Sequence, residues 1–172
     1  MKTINKKICL LGHFHAGKTS LVIQFLEKRF QNYYGADLGV KIFETCHQFH
    51  EDQTLNLSIW DIAGSVDEYF PNPVYLAGTH GVIIVTDISQ TDALDHVNSY
   101  LHWLDTLTDI PLKIAIALNK CDLIDTADLS LDYFPTNPLV IKTYETSAKT
   151  GKNVNIIFQE LFNHLWDSPS IP

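Results

Sequence analysis

Hydrophobic positions follow two alternating patterns along the chain. Short apolar runs such as Gly81–Val85 have the length and the β-branched content of strands that are buried on both faces of a sheet. Longer segments such as Ala93–Thr106 place their apolar residues three and four positions apart, as a helix with one buried side does. The alternation predicts an α/β fold in which a mostly parallel sheet lies between layers of helices.

These patterns divide most of the chain into strands and helices. The predicted strands are Lys7–Leu11, Val40–Phe49, Leu55–Trp60, Gly81–Val85, Lys113–Leu118 and Ile141–Glu145. The predicted helices are Lys18 to about Lys28, Ala93–Thr106 and Val154–Leu165. The polar turn Glu51-Asp52-Gln53 favours a hairpin between the second and third strands, and Pro135 and Pro138 restrict any helix before the last strand to a short one. We find no repeat or linker and predict one domain over residues 1–172.

Composition narrows the class of protein. The 172 residues are 45% hydrophobic and 19% charged, which is typical of a globular chain. The net charge of −8 gives no electrostatic reason to expect nucleic acid or an anionic bilayer as a partner. Cys9, Cys46 and Cys121 form no CxxC pair, so we expect free thiols. No apolar stretch reaches a membrane-spanning length and no lipidation motif is present, so we expect a cytoplasmic chain without a membrane anchor of its own.

The segment GHFHAGKT, from Gly12 to Thr19, fits the phosphate-loop pattern GxxxxGK[ST] and lies between a predicted strand and a predicted helix. Its glycines let the backbone curl so that successive N–H groups face phosphate oxygens at the start of the helix. Lys18 would reach the outer phosphates, and the Thr19 hydroxyl would bind Mg²⁺. The predicted nucleotide contacts here are Gly12, His15, Ala16, Gly17, Lys18, Thr19 and Ser20. The alternative is a glycine-bearing turn without a ligand, and we expect His13 and His15 to be solvent-exposed.

A second motif, WDIAG, ends the third predicted strand. A carboxylate at this position, Asp61, can hold Mg²⁺ through water, and Gly64 can offer its N–H to a terminal phosphate. Alone this pattern is weak, because carboxylates at strand ends also cap helices.

Two further motifs, NKCD and TSAK, end later strands and suit a guanine base. Asp122 can accept from the ring N–H and the amine of guanine, which adenine does not present in that arrangement. The Ala148 N–H would meet the guanine carbonyl oxygen. The predicted base-site residues are Asn119, Lys120, Asp122, Ser147, Ala148 and Lys149. Each motif has an ordinary loop as its alternative, but all of them follow strand ends, where an open α/β sheet binds its ligands.

In order and spacing the four motifs resemble those of the Ras-superfamily small GTPases, and those of the Rab branch most closely. The resemblance covers about Lys6 to Leu165. It implies the three-layer α/β/α fold of P-loop nucleoside triphosphatases, with a mostly parallel six-stranded sheet and about five helices. It also implies binding of GTP and GDP with Mg²⁺, and two switch loops that rearrange when the terminal phosphate is lost.

Further roles follow from the resemblance alone. Phe30 would stack on guanine, although a core aromatic explains it equally well, and Tyr34 would close over the phosphates. Lys120 would lay its stem along the base. The family also implies effector, exchange-factor and activating proteins that bind the switch loops, and a monomer that reaches membranes through partners in vesicle traffic.

Three residues depart from the family pattern. Phe14 replaces a small residue and would crowd the terminal phosphate, and Ser65 replaces the Gln that orients the attacking water. Asp37 replaces a Thr that binds Mg²⁺ in the first switch. A carboxylate at ~4 Å from a phosphate charge meets about 4 kcal/mol of repulsion at an effective dielectric of about 20. Asp37 therefore either binds the metal in a rearranged loop or points away, and we favour the second.

The motifs predict a guanine-nucleotide switch with slow GTP hydrolysis, in which Lys18 and Ser65 occupy the catalytic positions. The alternative is an interaction module that holds its nucleotide without cycling, and the three departures favour it. A P-loop kinase or ATPase is a weaker interpretation, because Asp122 and Ala148 select guanine.

Overall fold

Six strands form one sheet in the computed structural model, which describes residues 2–30, 39–50, 53–64, 70–107, 112–125 and 137–166. The strands are β1 (Lys2–Leu11), β2 (Val40–His50), β3 (Gln53–Ile62), β4 (Gly81–Asp87), β5 (Lys113–Asn119) and β6 (Val140–Glu145). The α-helices of this described part are α1 (Lys18–Glu27), α2 (Ala93–Thr106) and α3 (Val154–Trp166), and short 3₁₀ helices span Pro73–Leu76 and Cys121–Leu123. The predicted α/β class and the six strands are confirmed.

The helix count differs from the resemblance-based expectation of about five, because the described residues contain three α-helices. Part of the reason lies in the described residues 70–80, where Pro71 and Pro73 interrupt the chain and the helix present is a short 3₁₀ helix. Proline removes a backbone donor and clashes with the preceding turn, so a longer α-helix cannot run through this segment.

The strand order is β2-β3-β1-β4-β5-β6. β2 and β3 are antiparallel, as the predicted hairpin requires, and every other neighbouring pair is parallel. β1 begins at Lys2, five residues before the predicted start, because its polar first half pairs with β3 from Lys2↔Gln53 onward. This pairing uses backbone groups, and Ile4, which packs against the core, is the apolar residue among the four polar ones at positions 2, 3, 5 and 6.

Side chains alternate between two hydrophobic cores along the central strands. Ile83 and Val85 of β4 point into the core beneath α1 and α3, whereas Val82 and Ile84 point into the core beneath α2. All four are at most 1% exposed, which explains why β4 reads as an uninterrupted apolar run. The Phe25 ring stacks on another ring from α3 and joins the two helices of the first core.

The carboxyl ends of the parallel strands meet at one edge of the sheet, and the four sequence motifs follow them there. The phosphate-loop motif follows β1 and the Asp61 motif lies at the end of β3. NKCD and TSAK follow β5 and β6. The fold therefore brings together four motifs that extend from Gly12 to Lys149, 137 positions apart in sequence.

Candidate nucleotide-binding site

The loop between β1 and α1 has a backbone shape that its two glycines allow. Gly12 has φ +145°, and a Cβ there would lie 2.0 Å from the Val85 carbonyl oxygen. Gly17 has φ +95°, and a Cβ there would lie 2.3 Å from Nδ2 of Asn119. Neither position accommodates a side chain without displacing β4 or the NKCD segment. The loop thus curls tightly at both ends, as a phosphate cradle requires.

The first turn of α1 is open to an anion. The N-cap residue of α1 is Gly17, which has no side chain with which to cap the first backbone N–H groups of the helix. Ser20 lies in this first turn, and Ala16 is buried just before it. The helix dipole adds positive potential at the same place.

Lys18 lies beneath this loop and is 7% exposed. Its Nζ donates to the carbonyl oxygens of Gly12 and His13, at 2.8 Å each. Burial lowers the pKa of Lys18 from 10.5 to about 8, although the carboxylate of Asp61 opposes the shift. The ammonium group therefore lies where the charge of a bound phosphate would compensate for the hydration that the group loses on burial.

Thr19 and Asp61 are in direct contact. The Thr19 hydroxyl donates to Oδ2 of Asp61 at 2.5 Å, and Asp61 is 5% exposed. A hydroxyl and a carboxylate are hard oxygen ligands of the kind that Mg²⁺ takes alongside phosphates and water. Within the described ranges no group of three or more His, Cys, Asp or Glu could hold a metal by itself.

Gly64 packs on the phosphate loop. A Cβ at this position would lie 2.5 Å from the Gly12 carbonyl oxygen and 2.6 Å from the Phe14 nitrogen. Only glycine lets the segment after β3 approach the loop this closely. The position suits the predicted role of its N–H at a terminal phosphate.

Asn119 connects the phosphate loop to the base motifs. Its Nδ2 donates to the Ala16 carbonyl oxygen at 2.9 Å, and its Oδ1 accepts from the Ala148 N–H at 3.2 Å. The Thr146 hydroxyl lies 3.4 Å from the same oxygen. The side chain is 1% exposed, so these bonds lie within the protein. The Ala148 N–H that we expected at the guanine carbonyl donates to Asn119 in this structure.

The side chain of Asp122 is anchored from the TSAK motif. The Ser147 hydroxyl donates to its Oδ1 at 2.6 Å, and the Lys149 ammonium lies 3.9 Å from its Oδ2. The carboxylate is held in one orientation by a short bond and keeps a second oxygen as an acceptor. The structure thus brings together the predicted base-site residues from β5 and β6.

The remaining base-site predictions have different outcomes. Phe30 is 41% exposed, so the core interpretation of this ring is wrong, and its stacking on guanine stays a prediction. Lys120 lies in the NKCD turn with its ammonium on Asp87 at 2.6 Å. Tyr34, Asp37 and Ser65 lie outside the described residues, and their predicted roles stay predictions.

One feature of the loop was wrongly predicted. His15 is exposed as expected, with φ +60° and its ring stacked on Phe14 at 3.8 Å. His13, in contrast, is partly buried and stacks on His96 of α2, with ring centroids 3.6 Å apart. Tyr100, also on α2, has its hydroxyl beside the Gly12 backbone of the loop. Burial raises the pKa of Tyr100 to about 12, and the contact with Gly12 opposes this shift. Sequence periodicity places these α2 residues on a helix but cannot show that they face the loop.

Other observations bear on the chemistry and setting of the chain. Cys9, Cys46 and Cys121 are free thiols, as expected from their spacing. Among the helices described, none combines the length and the apolar character that crossing a bilayer requires.

Comparison with known proteins gives consistent results. A family model described as Ras family matches residues 7–167. The "Ras-related protein Rab5" of Nicotiana tabacum is 35% identical over 166 residues, which cover 94% of this chain and 82% of that protein. The "Ras-related protein RABF2a" of Arabidopsis thaliana is 33% identical over 168 residues, 95% and 82% of the two chains. The "GTP-binding protein ypt5" of Schizosaccharomyces pombe is 32% identical over 169 residues, 95% and 79% of the two chains.

Proposed function

The chain belongs to the Ras family, and on this basis we propose that it is a guanine-nucleotide-binding switch of the Rab type, which binds GTP and GDP with Mg²⁺. The observation that carries the proposal is the double contact of Asn119. One buried side chain holds the phosphate loop through Ala16 and the base motif through Ala148. This direct link between the two segments supports a single ligand that contacts both of them.

Selection of guanine depends on Asp122. Its carboxylate is fixed by Ser147 and presents acceptor oxygens, which suit the N–H and amine donors on one edge of guanine. Adenine would leave this acceptor without its donors, and an unpaired polar group in a closed site is costly. A competition experiment tests this step: excess ATP should fail to displace labelled GDP, and effective displacement by ATP would contradict it.

The phosphates would lie on the loop from Gly12 to Thr19, with Lys18 beneath the outer ones. Thr19 and Asp61 would hold Mg²⁺, which, when bound, neutralises charge on the phosphate oxygens. Gly64 already packs on the loop and would offer its N–H on the side of the terminal phosphate. Asp37 is proposed to point away from this charge rather than to bind the metal.

We further propose that GTP hydrolysis is slow. Ser65 is too short to orient water as the usual Gln does. Phe14 places an aromatic ring, stacked on His15, at a loop position where the family has a small residue. Binding and hydrolysis are separable, because Lys18, Thr19, Asp61 and the base motifs hold the nucleotide without Ser65.

Single-turnover hydrolysis with Mg²⁺ tests this proposal. We expect a rate well below that of an ordinary family member measured in parallel. The double variant Ser65→Gln, Phe14→Gly should hydrolyse GTP at least about tenfold faster, since one well-placed hydrogen bond to the attacking water is worth about 1.4 kcal/mol or more. Bound GTP is quantified in both proteins as the control. A wild-type rate equal to the reference rate would contradict slow turnover.

A non-cycling module is the second candidate, and Phe14, Asp37 and Ser65 favour it because all three depart from the pattern needed for hydrolysis or switching. Limited proteolysis separates the two candidates. A switch should show different cleavage within Gly35–Gly39 or Ser65–Pro71 when GDP is exchanged for a non-hydrolysable GTP analogue. Identical cleavage patterns would favour the static module.

The cellular setting is proposed from the relatives. We propose a role in vesicle traffic, with effector, exchange-factor and activating proteins that bind the switch loops, and association with membranes through such partners. We also propose that residues 1–172 form one domain that acts as a monomer. The first experiment is to identify the nucleotide that co-purifies with the protein, by chromatography after denaturation. A protein that is empty, and that stays empty when offered GDP or GTP with Mg²⁺, would overturn the proposed function.

A further inference from the structure

An acidic side chain at the end of β4 holds the lysine of the NKCD motif. Asp87 is the last residue of β4 and lies beside Asn119 in the strand register. Its Oδ2 accepts from Nζ of Lys120 at 2.6 Å. The carboxylate side chain is 14% exposed and the lysine side chain 31%, so the pair is partly shielded from water.

The carboxylate is itself fixed in place. Its Oδ1 accepts from the backbone N–H of Ser89 at 3.1 Å and from the Ser89 hydroxyl at 2.6 Å. The Ile88 N–H donates to the Asn119 carbonyl oxygen at 2.9 Å and ties the same turn to β5. Asp87 therefore presents a rigid acceptor rather than a mobile surface charge.

The charged form of the Asp87 carboxyl is stabilised by its hydrogen-bond donors. Burial alone would raise the pKa of the Asp87 carboxyl, but hydrogen bonds from Lys120 and Ser89 outweigh burial and lower it. Lys120 has φ +63°, a left-handed backbone that non-glycine residues adopt only when their surroundings hold them there. The contact with Asp87 is one of the restraints on this residue.

A free lysine stem has many rotamers, and ordering it when a ligand binds costs conformational entropy. A lysine stem whose ammonium group is already fixed loses less conformational entropy when the ligand binds. We propose that Asp87 is a positioning residue of the guanine site: by anchoring Lys120 it holds the lysine stem and the NKCD turn in place and slows nucleotide release. This inference rests on the proposed function, because it assumes that guanine nucleotide occupies the site.

Release of ribose-labelled GDP from the full chain tests the inference. Asp87→Asn should release GDP about two- to fivefold faster, the range expected for an ion pair near the protein surface. Lys120→Met keeps the stem and removes the ammonium, and it should speed release to a similar extent. The double variant should release GDP no faster than the faster single variant, because both changes remove one interaction. Asp87→Glu, which keeps a carboxylate in reach of the lysine, should recover part of the slow release.

A matched control uses a similar ion pair at the end of β6. Glu145 of β6 accepts from Lys152 at 2.9 Å, and Glu145→Gln should leave the release rate unchanged. Inosine diphosphate, which lacks the amine of guanine, gives a further readout. Asp87→Asn should speed the release of both nucleotides by the same factor, since under the proposed function the lysine stem would lie along the ring face and not at the amine.

The outcomes separate the inference from the proposed function. Additive effects of the two single changes, or a normal release rate in Asp87→Asn, would overturn the role of Asp87 and leave guanine-nucleotide binding intact. Should Asp87→Asn fail to fold, the release rate of Lys120→Met decides, and normal release from that variant overturns the inference. Wild-type protein that retains no GDP would overturn both.

Discussion

The buried ammonium of Lys18 should make nucleotide affinity and protein stability respond to pH in opposite directions. In the unliganded protein the pKa of Lys18 is lowered to about 8 by burial. Phosphate oxygens stabilise the charged form, so the pKa is higher in the complex. Above about pH 8 the nucleotide must therefore bind together with a proton, and the apparent affinity falls as the pH rises.

The size of both effects follows from the same pKa. From about pH 7 to about pH 8.5, a group with a pKa of about 8 weakens binding about fourfold, because binding requires its protonated form. The unfolded chain keeps this lysine protonated over the same range and so binds more protons than the folded one. The free energy of unfolding of the unliganded protein should accordingly rise by about 0.8 kcal/mol.

Two measurements give the required data. GDP affinity is measured by fluorescence competition, and unliganded stability by urea denaturation, at several pH values between about 7 and 8.5. Cys9 and Cys121 also titrate at higher pH, so the Lys18 contribution is the difference between wild type and Lys18→Met, which should lack the stability increase. Lys142→Met, which removes an exposed lysine of β6, should retain it.

A specific result would refute this reasoning. The ultraviolet spectrum of free GDP in the same buffers shows whether guanine itself ionises, and data at such pH values are set aside. If GDP affinity is then constant from about pH 7 to about pH 8.5, burial does not lower the pKa of Lys18 to about 8 and the reasoning fails.

Two further predictions concern single side chains. Asn119→Ala should destabilise the protein by about 3 kcal/mol and speed GDP release at least about a hundredfold, because it leaves buried partners of both loops unpaired. The control Asn56→Ala breaks an exposed pair with Asn5 and should change neither stability nor release. Tight GDP binding by Asn119→Ala would contradict the proposed site. Tyr144→Phe should raise the free energy of unfolding in urea by about 1 kcal/mol, because the buried Tyr144 hydroxyl has no hydrogen-bond partner within the described part of the chain. A loss of stability in Tyr144→Phe would show that this hydroxyl is satisfied in solution.

Elements whose burial is reflected in their hydrophobic pattern could be predicted closely. α2 begins and ends at the residues that its periodicity indicates, and the apolar run of β4 marks a central strand with only two residues missed at its end. The first half of β1 was missed, because its polar residues from Lys2 onward join the sheet through backbone pairing. Backbone pairing leaves no mark on the hydrophobic pattern.

The candidate site shows a similar division. Lys18, Asp61 and Asp122 were predicted because each belongs to a motif at a strand end, where sheet topology collects ligand contacts. The stacking of His13 on His96 and the pairing of Lys120 with Asp87 were not predicted. These partners are 83 and 33 positions apart, and neither strand nor helix periodicity records which loop faces which element.

The contacts of Asn119 have a consequence for how affinity can change. Since one amide group braces both the loop before α1 and the TSAK segment, a substitution that loosens its contact with one should also loosen the other. Under the proposed function, the ordered states of these two segments would therefore be correlated. A factor that disturbs either end of a bound nucleotide would then promote its release.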